Sequence, residues 1–163
     1  MQISVPILEF FICEWEYINI DKWLPIASSY EGRMNQNSRE RIMIVGRDVP
    51  FSYLLQSFVR KSARQVIAAI HSDDVLSLAR CEKPLAIVLE VDTAENVGWQ
   101  MLRTLKSDPE TKQIPVMACS WQDESARGLV EGADVYLRMP FLYEEFGTAL
   151  AALLTREENG ENH

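Results

Sequence analysis

Few residues of this chain are equipped for chemistry. Its two histidines, His71 and His163, are far apart, so no histidine-cluster mechanism applies. The three cysteines, Cys13, Cys81 and Cys119, are widely spaced and odd in number. That spacing offers neither a disulfide framework nor a zinc site, and reduced thiols of a cytoplasmic protein are expected. Cys119 reads as a core thiol, and His71 as an exposed residue at a helix start. What remains falls in four short stretches: Gly46-Arg47-Asp48, Glu90 to Asp92, Ser120, and Arg138-Met139-Pro140. Their groups are carboxylates, guanidinium ions and one hydroxyl. A hydroxyl can hydrogen-bond a carboxylate, and an arginine can grip one through two parallel bonds.

The elements that must position these groups are legible from residue 41 onward. Ile42-Met43-Ile44-Val45 is an apolar run without alternation, which suits a strand buried on both faces. Asp48 and Pro50 give a cap and a first-turn proline, and Phe51, Leu54, Leu55, Phe58 and Val59 then form one helical face. Val66–Ile70 is a second strand. Ser72 caps a helix carrying Val75, Leu76, Leu78 and Ala79. Ala86–Val91 is a third strand, interrupted by Glu90. Helix Val97–Lys106, strand Val116–Cys119, helix Ser125–Glu131 ended by Gly132, strand Val135–Leu137 and helix Leu142–Arg156 follow. Strands alternating with such helices imply a parallel sheet covered on both faces, a (βα)5 doubly wound α/β fold. Sites in such folds lie at the carboxyl ends of the strands, where the four stretches fall.

Residues 1–40 read differently. They hold Phe10, Phe11, Trp15, Tyr17 and Trp23, then a polar stretch from Ser28 to Glu40. Strand and helix both remain open for their first half. The division expected is therefore an N-terminal extension and linker over 1–40, a domain over 41–156, and a polar tail over 157–163. The extension packs on its own domain or serves as a docking arm.

Charge narrows the function classes. The formal net charge is -8, which argues against a nucleic-acid surface and against a polybasic membrane patch. No stretch approaches the ~18 apolar residues of a membrane span, and the acidic N-terminus does not read as a secretory signal.

Residues 41–154 resemble a response-regulator receiver domain of the CheY-like superfamily. The stretches RIMIVGRD, KPLAIVLEV, GWQMLRTLKSDPETKQIPVMACS and EGADVYLRMPF carry the resemblance. The family implies an acidic pair that holds Mg²⁺, an aspartate that takes a phosphoryl group from a partner's histidine, a hydroxyl that bonds a phosphoryl oxygen, and a lysine that pairs with it. The acidic pair falls on Gly46 and Arg47, the acceptor on Glu90 and the lysine on Met139. The hydroxyl is kept as Ser120, the aromatic switch as Tyr136, and the proline and phenylalanine as Pro140 and Phe141.

The departures all point one way. Gly46 brings no ligand, Arg47 repels a cation, and Asp48 alone is a poor Mg²⁺ site. Met139 offers no charge. Glu90 is longer than aspartate, so its attacking oxygen is displaced by more than about 1 Å, a misplacement worth on the order of 100-fold in rate. Asp92 is an alternative acceptor by periodicity, but it leaves the loop up to Gly98 too short for the family pattern.

The resemblance thus implies a degenerate, pseudo-receiver domain that is not an enzyme, with its Mg²⁺ site lost and no other cofactor. The expected function is a stand-alone signal-transduction protein of a two-component or phosphorelay pathway, acting by protein contact without phosphorylation. Its expected partners are a histidine kinase, an output protein or a second copy of itself, not nucleic acid or membrane. Glu90 is expected to mimic the phosphorylated state, to pair with Arg47 and to bond Ser120, fixing the Ser120–Tyr136 switch. A residual phosphoacceptor is one alternative. A small-ligand sensor, with Met139, Trp121 and Val97 lining a remade pocket, is another.

Overall fold

The computed structural model describes residues 41–70, 74–92 and 96–160. The expectations for residues 1–40, His71, Ser72 and 161–163 lie outside them.

The unalternating strands do what their composition requires. Ile42 and Ile44 enter one apolar cluster, and Met43 and Val45 enter a second on the opposite face. The same split divides Ala86 and Val88 from Ile87 and Leu89, and Met117 and Cys119 from Val116 and Ala118. Successive side chains of a strand point to opposite faces, so a sheet covered twice demands an apolar residue at every position.

Five strands result: β1 (Arg41–Val45), β2 (Gln65–Ala69), β3 (Ala86–Glu90), β4 (Val116–Ser120) and β5 (Val135–Arg138). They pair in parallel in the order β2-β1-β3-β4-β5. The chain reverses its direction of growth at β1, and the crevice between β1 and β3 is where such sheets place their sites. The helices between the strands are α1 (Val49–Lys61), α2 (Val75–Glu82), α3 (Val97–Ser107), α4 (Ser125–Val130) and α5 (Tyr143–Gly160). Phe51, Leu55, Phe58 and Val59 of α1 and Phe146, Leu150 and Leu153 of α5 cover one face. Val75 and Ala79 of α2 and Trp99, Leu102 and Leu105 of α3 cover the other. Trp99 is core packing, as its helix spacing implies, with the Arg127 guanidinium 4.3 Å above its ring.

The differences from expectation are local. β2 lies one residue earlier than the pattern suggests. The cap of α2 is Asp74, whose carboxylate accepts the Ser77 N–H at 3.0 Å. β4 includes Ser120 and β5 includes Arg138, since hydrogen-bonded pairing continues past the last apolar residue. α5 runs on to Gly160, because Arg156 and Glu157-Glu158 carry no signal that stops a helix. Cys81 is disulfide-bonded, contrary to the expectation of reduced thiols. Among the described residues, no helix is long and apolar enough to cross a membrane.

Candidate functional site

The carboxyl ends of β1, β3 and β4 bring the expected residues to one edge. Val45 pairs with Leu89, so Gly46 and Glu90 follow side by side. Glu90 pairs in turn with Cys119, which places Ser120 just beyond it.

Glu90 is buried, with 4% of its surface exposed. Its Oε2 accepts the Arg47 N–H at 2.7 Å and the Asp48 N–H at 3.2 Å. Such charge-assisted bonds are about twice as strong as neutral ones. Gly46 makes the arrangement sterically feasible. A Cβ there would stand 2.8 Å from Phe51 Cδ1 and 3.1 Å from Glu90 Oε2. The glycine is thus a space left for a neighbour's carboxylate and for the α1 aromatic ring.

Two expected contacts are not made. The Arg47 side chain is exposed, and no ion pair joins it to Glu90 among the described residues; its main-chain N–H makes the bond instead. Nor does Ser120 bond Glu90. Its Oγ donates to Asp92 Oδ1 at 2.7 Å. The reason is direction: the room left by Gly46 draws the Glu90 side chain towards the β1–α1 loop. Asp92, two residues on, is left to face β4.

Asp92 also accepts the Trp121 main-chain N–H through Oδ2. The Ser120 Oγ in turn accepts the Gln122 N–H at 2.9 Å. The Tyr136 hydroxyl donates to the Gln122 carbonyl at 2.5 Å and accepts the Glu124 N–H at 3.1 Å. Tyr136 is half-buried, and its ring lies against α4 where residue 128 is glycine. A Cβ on Gly128 would be 2.6 Å from Tyr136 Cδ2.

Met139 turns away from this network. Its main-chain N–H donates to the Ser120 carbonyl at 2.7 Å, while its side chain is buried in the α1–α5 cluster. The Met139–Pro140 peptide is cis, and Phe141 beyond it stacks on Phe146. Trp121 is 54% exposed at the rim, and Val97 is half-buried. The Cys119 thiol is fully buried; burial first, then the charge of Glu90, pushes its pKa far up, so it stays protonated.

Of the residues that sequence reasoning named, the fold joins Gly46, Arg47 and Asp48 to Glu90 and links Ser120 to Tyr136 through Gln122, while the Met139 side chain lies apart in the core. Sequence reasoning underrated Asp92, Gln122 and Gly128. Asp92 carried a usable signal, since it lies on the same strand face as Glu90. Gln122 and Gly128 carried none, because one acts through its main chain and the other through a missing side chain.

No family model matches the chain. It is similar to protein PilH of Pseudomonas aeruginosa, with 32% identity over 117 residues covering 70% of this chain and 97% of that protein. It is similar to the alkaline phosphatase synthesis transcriptional regulatory protein PhoP of Bacillus subtilis, with 30% identity over 122 residues. That match covers 73% of this chain but only 50% of the regulator. Among solved structures, a two-component response regulator from Clostridium difficile superposes with a TM-score of 0.64. It is 20% identical and covers 73% of this chain and 98% of that one, a likeness of fold. With the five-stranded parallel sheet and the PilH match together, the chain belongs to the response-regulator receiver family of two-component signalling.

Proposed function

We propose that this receiver works without an acyl phosphate, as a protein-interaction module whose pocket carries its own fixed anion. One observation carries the reading. The Glu90 carboxylate is buried against the Arg47 and Asp48 N–H groups, 3.1 Å from where a Cβ on residue 46 would stand. An acidic side chain at position 46 has no room, and Glu90 is already committed to main-chain donors.

The residues present do not fit Mg²⁺. A hard divalent cation wants several oxygen ligands, and here Gly46 supplies none. Asp48 is the one remaining carboxylate of the stretch, and Arg47 beside it opposes a cation. Met139 points its side chain into the core, so this position offers no ammonium to an incoming phosphoryl group. The chemistry left to the pocket is hydrogen bonding by fixed groups, and the domain is not an enzyme.

The partner is a histidine kinase or an output protein, with a second copy of the chain as the alternative. It meets the face formed by α4, β5 and the start of α5. There Leu129, Val130 and Leu142 are 63%, 87% and 68% exposed. Apolar side chains grouped in this way favour protein contact.

Trp121 reports on the pocket, since its N–H is bonded within it and its ring stands at the rim. The test is a titration with Mg²⁺ and then beryllofluoride, a phosphoryl mimic, followed by tryptophan fluorescence. Trp121→Phe is the control. No Trp121-dependent change is expected up to ~10 mM Mg²⁺. A saturable change would overturn the reading and restore a phosphoacceptor.

A further inference from the structure

The end of β4 holds a small fork of donors. The Ser120 hydroxyl and the Trp121 main-chain N–H converge on the two oxygens of one carboxylate, that of Asp92. Two donors aimed at both oxygens of an anion form a charge-assisted, geometrically specific seat. The seat is filled from within the chain, by a residue of the β3–α3 loop rather than by a residue of β4 or α4.

The fork does not end there. Ser120 Oγ donates to Asp92 and accepts from Gln122, so its hydroxyl is fully oriented. Gln122 presents its carbonyl to the Tyr136 hydroxyl, and that hydroxyl accepts from Glu124. Four links thus run from the Asp92 carboxylate to the residue just before α4. Each intermediate group both gives and receives, the condition under which hydrogen bonds reinforce one another.

We propose that Asp92 is the positioning residue of this domain: its carboxylate, seated on Ser120 and Trp121, holds the β4–α4 turn and, through Gln122, fixes Tyr136. The inference rests on the preceding reading only in taking the surface beside α4 as the one a partner meets. It assigns to Asp92 the role that the sequence suggested for Glu90. Glu90 orders the β1–α1 loop instead, and the two carboxylates serve different loops.

Three amides report the relay separately. Trp121 N–H bonds Asp92, Gln122 N–H bonds Ser120, and Glu124 N–H bonds Tyr136. Their exchange with deuterium is followed by NMR on the full chain, without Mg²⁺. In Asp92→Asn, the shape is kept but an amide NH₂ meets one of the two donors. All three amides should exchange about tenfold faster or more, although only the first touches residue 92. The Tyr136 ring resonances should move with them. In Ser120→Ala, Gln122 and Glu124 should lose protection while Trp121 keeps it. In Tyr136→Phe, Glu124 alone should lose it. Arg80→Ala, which breaks an ion pair with Asp108 far from the turn, is the control for general loosening and should leave the three amides unchanged.

Loss of protection at Trp121 alone in Asp92→Asn, with Gln122, Glu124 and the Tyr136 ring as in the wild type, would overturn the proposal. So would equal loosening of all three amides in Arg80→Ala. These outcomes are separable from the Mg²⁺ titration. A broken relay with a silent titration removes the role of Asp92 and leaves the phosphorylation-independent reading. An intact relay with a saturable titration does the reverse.

Discussion

At residue 46 a missing side chain decides the character of the pocket. The resemblance to receivers implies an acid at this point, and this chain carries a hydrogen atom. Glu90 has moved into the room. Gly46→Ala should therefore lower stability by about 1–3 kcal/mol, the usual cost of overpacking. The added methyl would meet Phe51 at 2.8 Å and the Glu90 oxygen at 3.1 Å, and neither neighbour is free to retreat. Urea unfolding of the variant, with an unchanged slope, is the measurement. The same residues show where sequence reading stops. That Glu90 reaches beyond its strand was legible from its length. Its partners were not, because pairing rules favour side chains, such as Arg47 and Ser120. The bonds went to the main-chain N–H groups of Arg47 and Asp48, which any residue type would present.

α4 depends on a similar omission. Only six residues long, it is too short to stand by its own propensity and needs the packing of its inner face. Gly128 lets the Tyr136 ring lie against its backbone. On an ordinary helix, Gly→Ala gains roughly 1 kcal/mol. Here the new Cβ would fall 2.6 Å from Tyr136 Cδ2, and a clash of that kind costs about 1–3 kcal/mol. The clash should win, so Gly128→Ala is expected to be destabilising. In a Tyr136→Ala background the sign should reverse, leaving the helix-propensity gain. A double-mutant cycle by thermal unfolding reads the coupling directly. A glycine inside a helix looks like a weakness in the sequence alone. The aromatic ring that fills its place is eight positions from it in no obvious pattern: it sits on β5, and only the parallel pairing of β4 with β5 brings it under α4.

Across the molecule, the fold was the most legible property and its electrostatic ties the least. The five apolar runs and the helix between each pair specify a parallel sheet, because that arrangement covers both faces of the central strands, and β3 and β4 are buried throughout. The ties between distant segments follow from the finished packing. Arg80 of α2 holds Asp108, the residue that ends α3. That hydrogen bond lowers the Asp108 pKa below its ordinary 3.8, and the hydroxyl and N–H of Ser77 lower that of Asp74 at the cap of α2. An acid whose folded pKa is depressed stabilises the fold above its unfolded pKa, and loses that contribution as pH falls through the folded value. Stability should thus hold at pH values above about 4 and decline progressively below. Asp108→Asn should lower the melting temperature more at pH 6 than at pH 2.5, because the contribution of the carboxylate fades as pH falls through its depressed folded pKa. Scanning calorimetry at the two values makes the comparison.

On the proposed reading, the Glu90 carboxylate stands permanently where an acyl phosphate would come and go. An acyl phosphate is a message with a lifetime: it is written by a donor, and water erases it. A glutamate is written by the ribosome and nothing erases it short of destroying the chain. A module built on such a charge keeps no time. Its output is a matter of dose, set by how many copies are made and how long they survive, and a cell that needs to silence it has proteolysis in place of the hydrolysis of a phosphate.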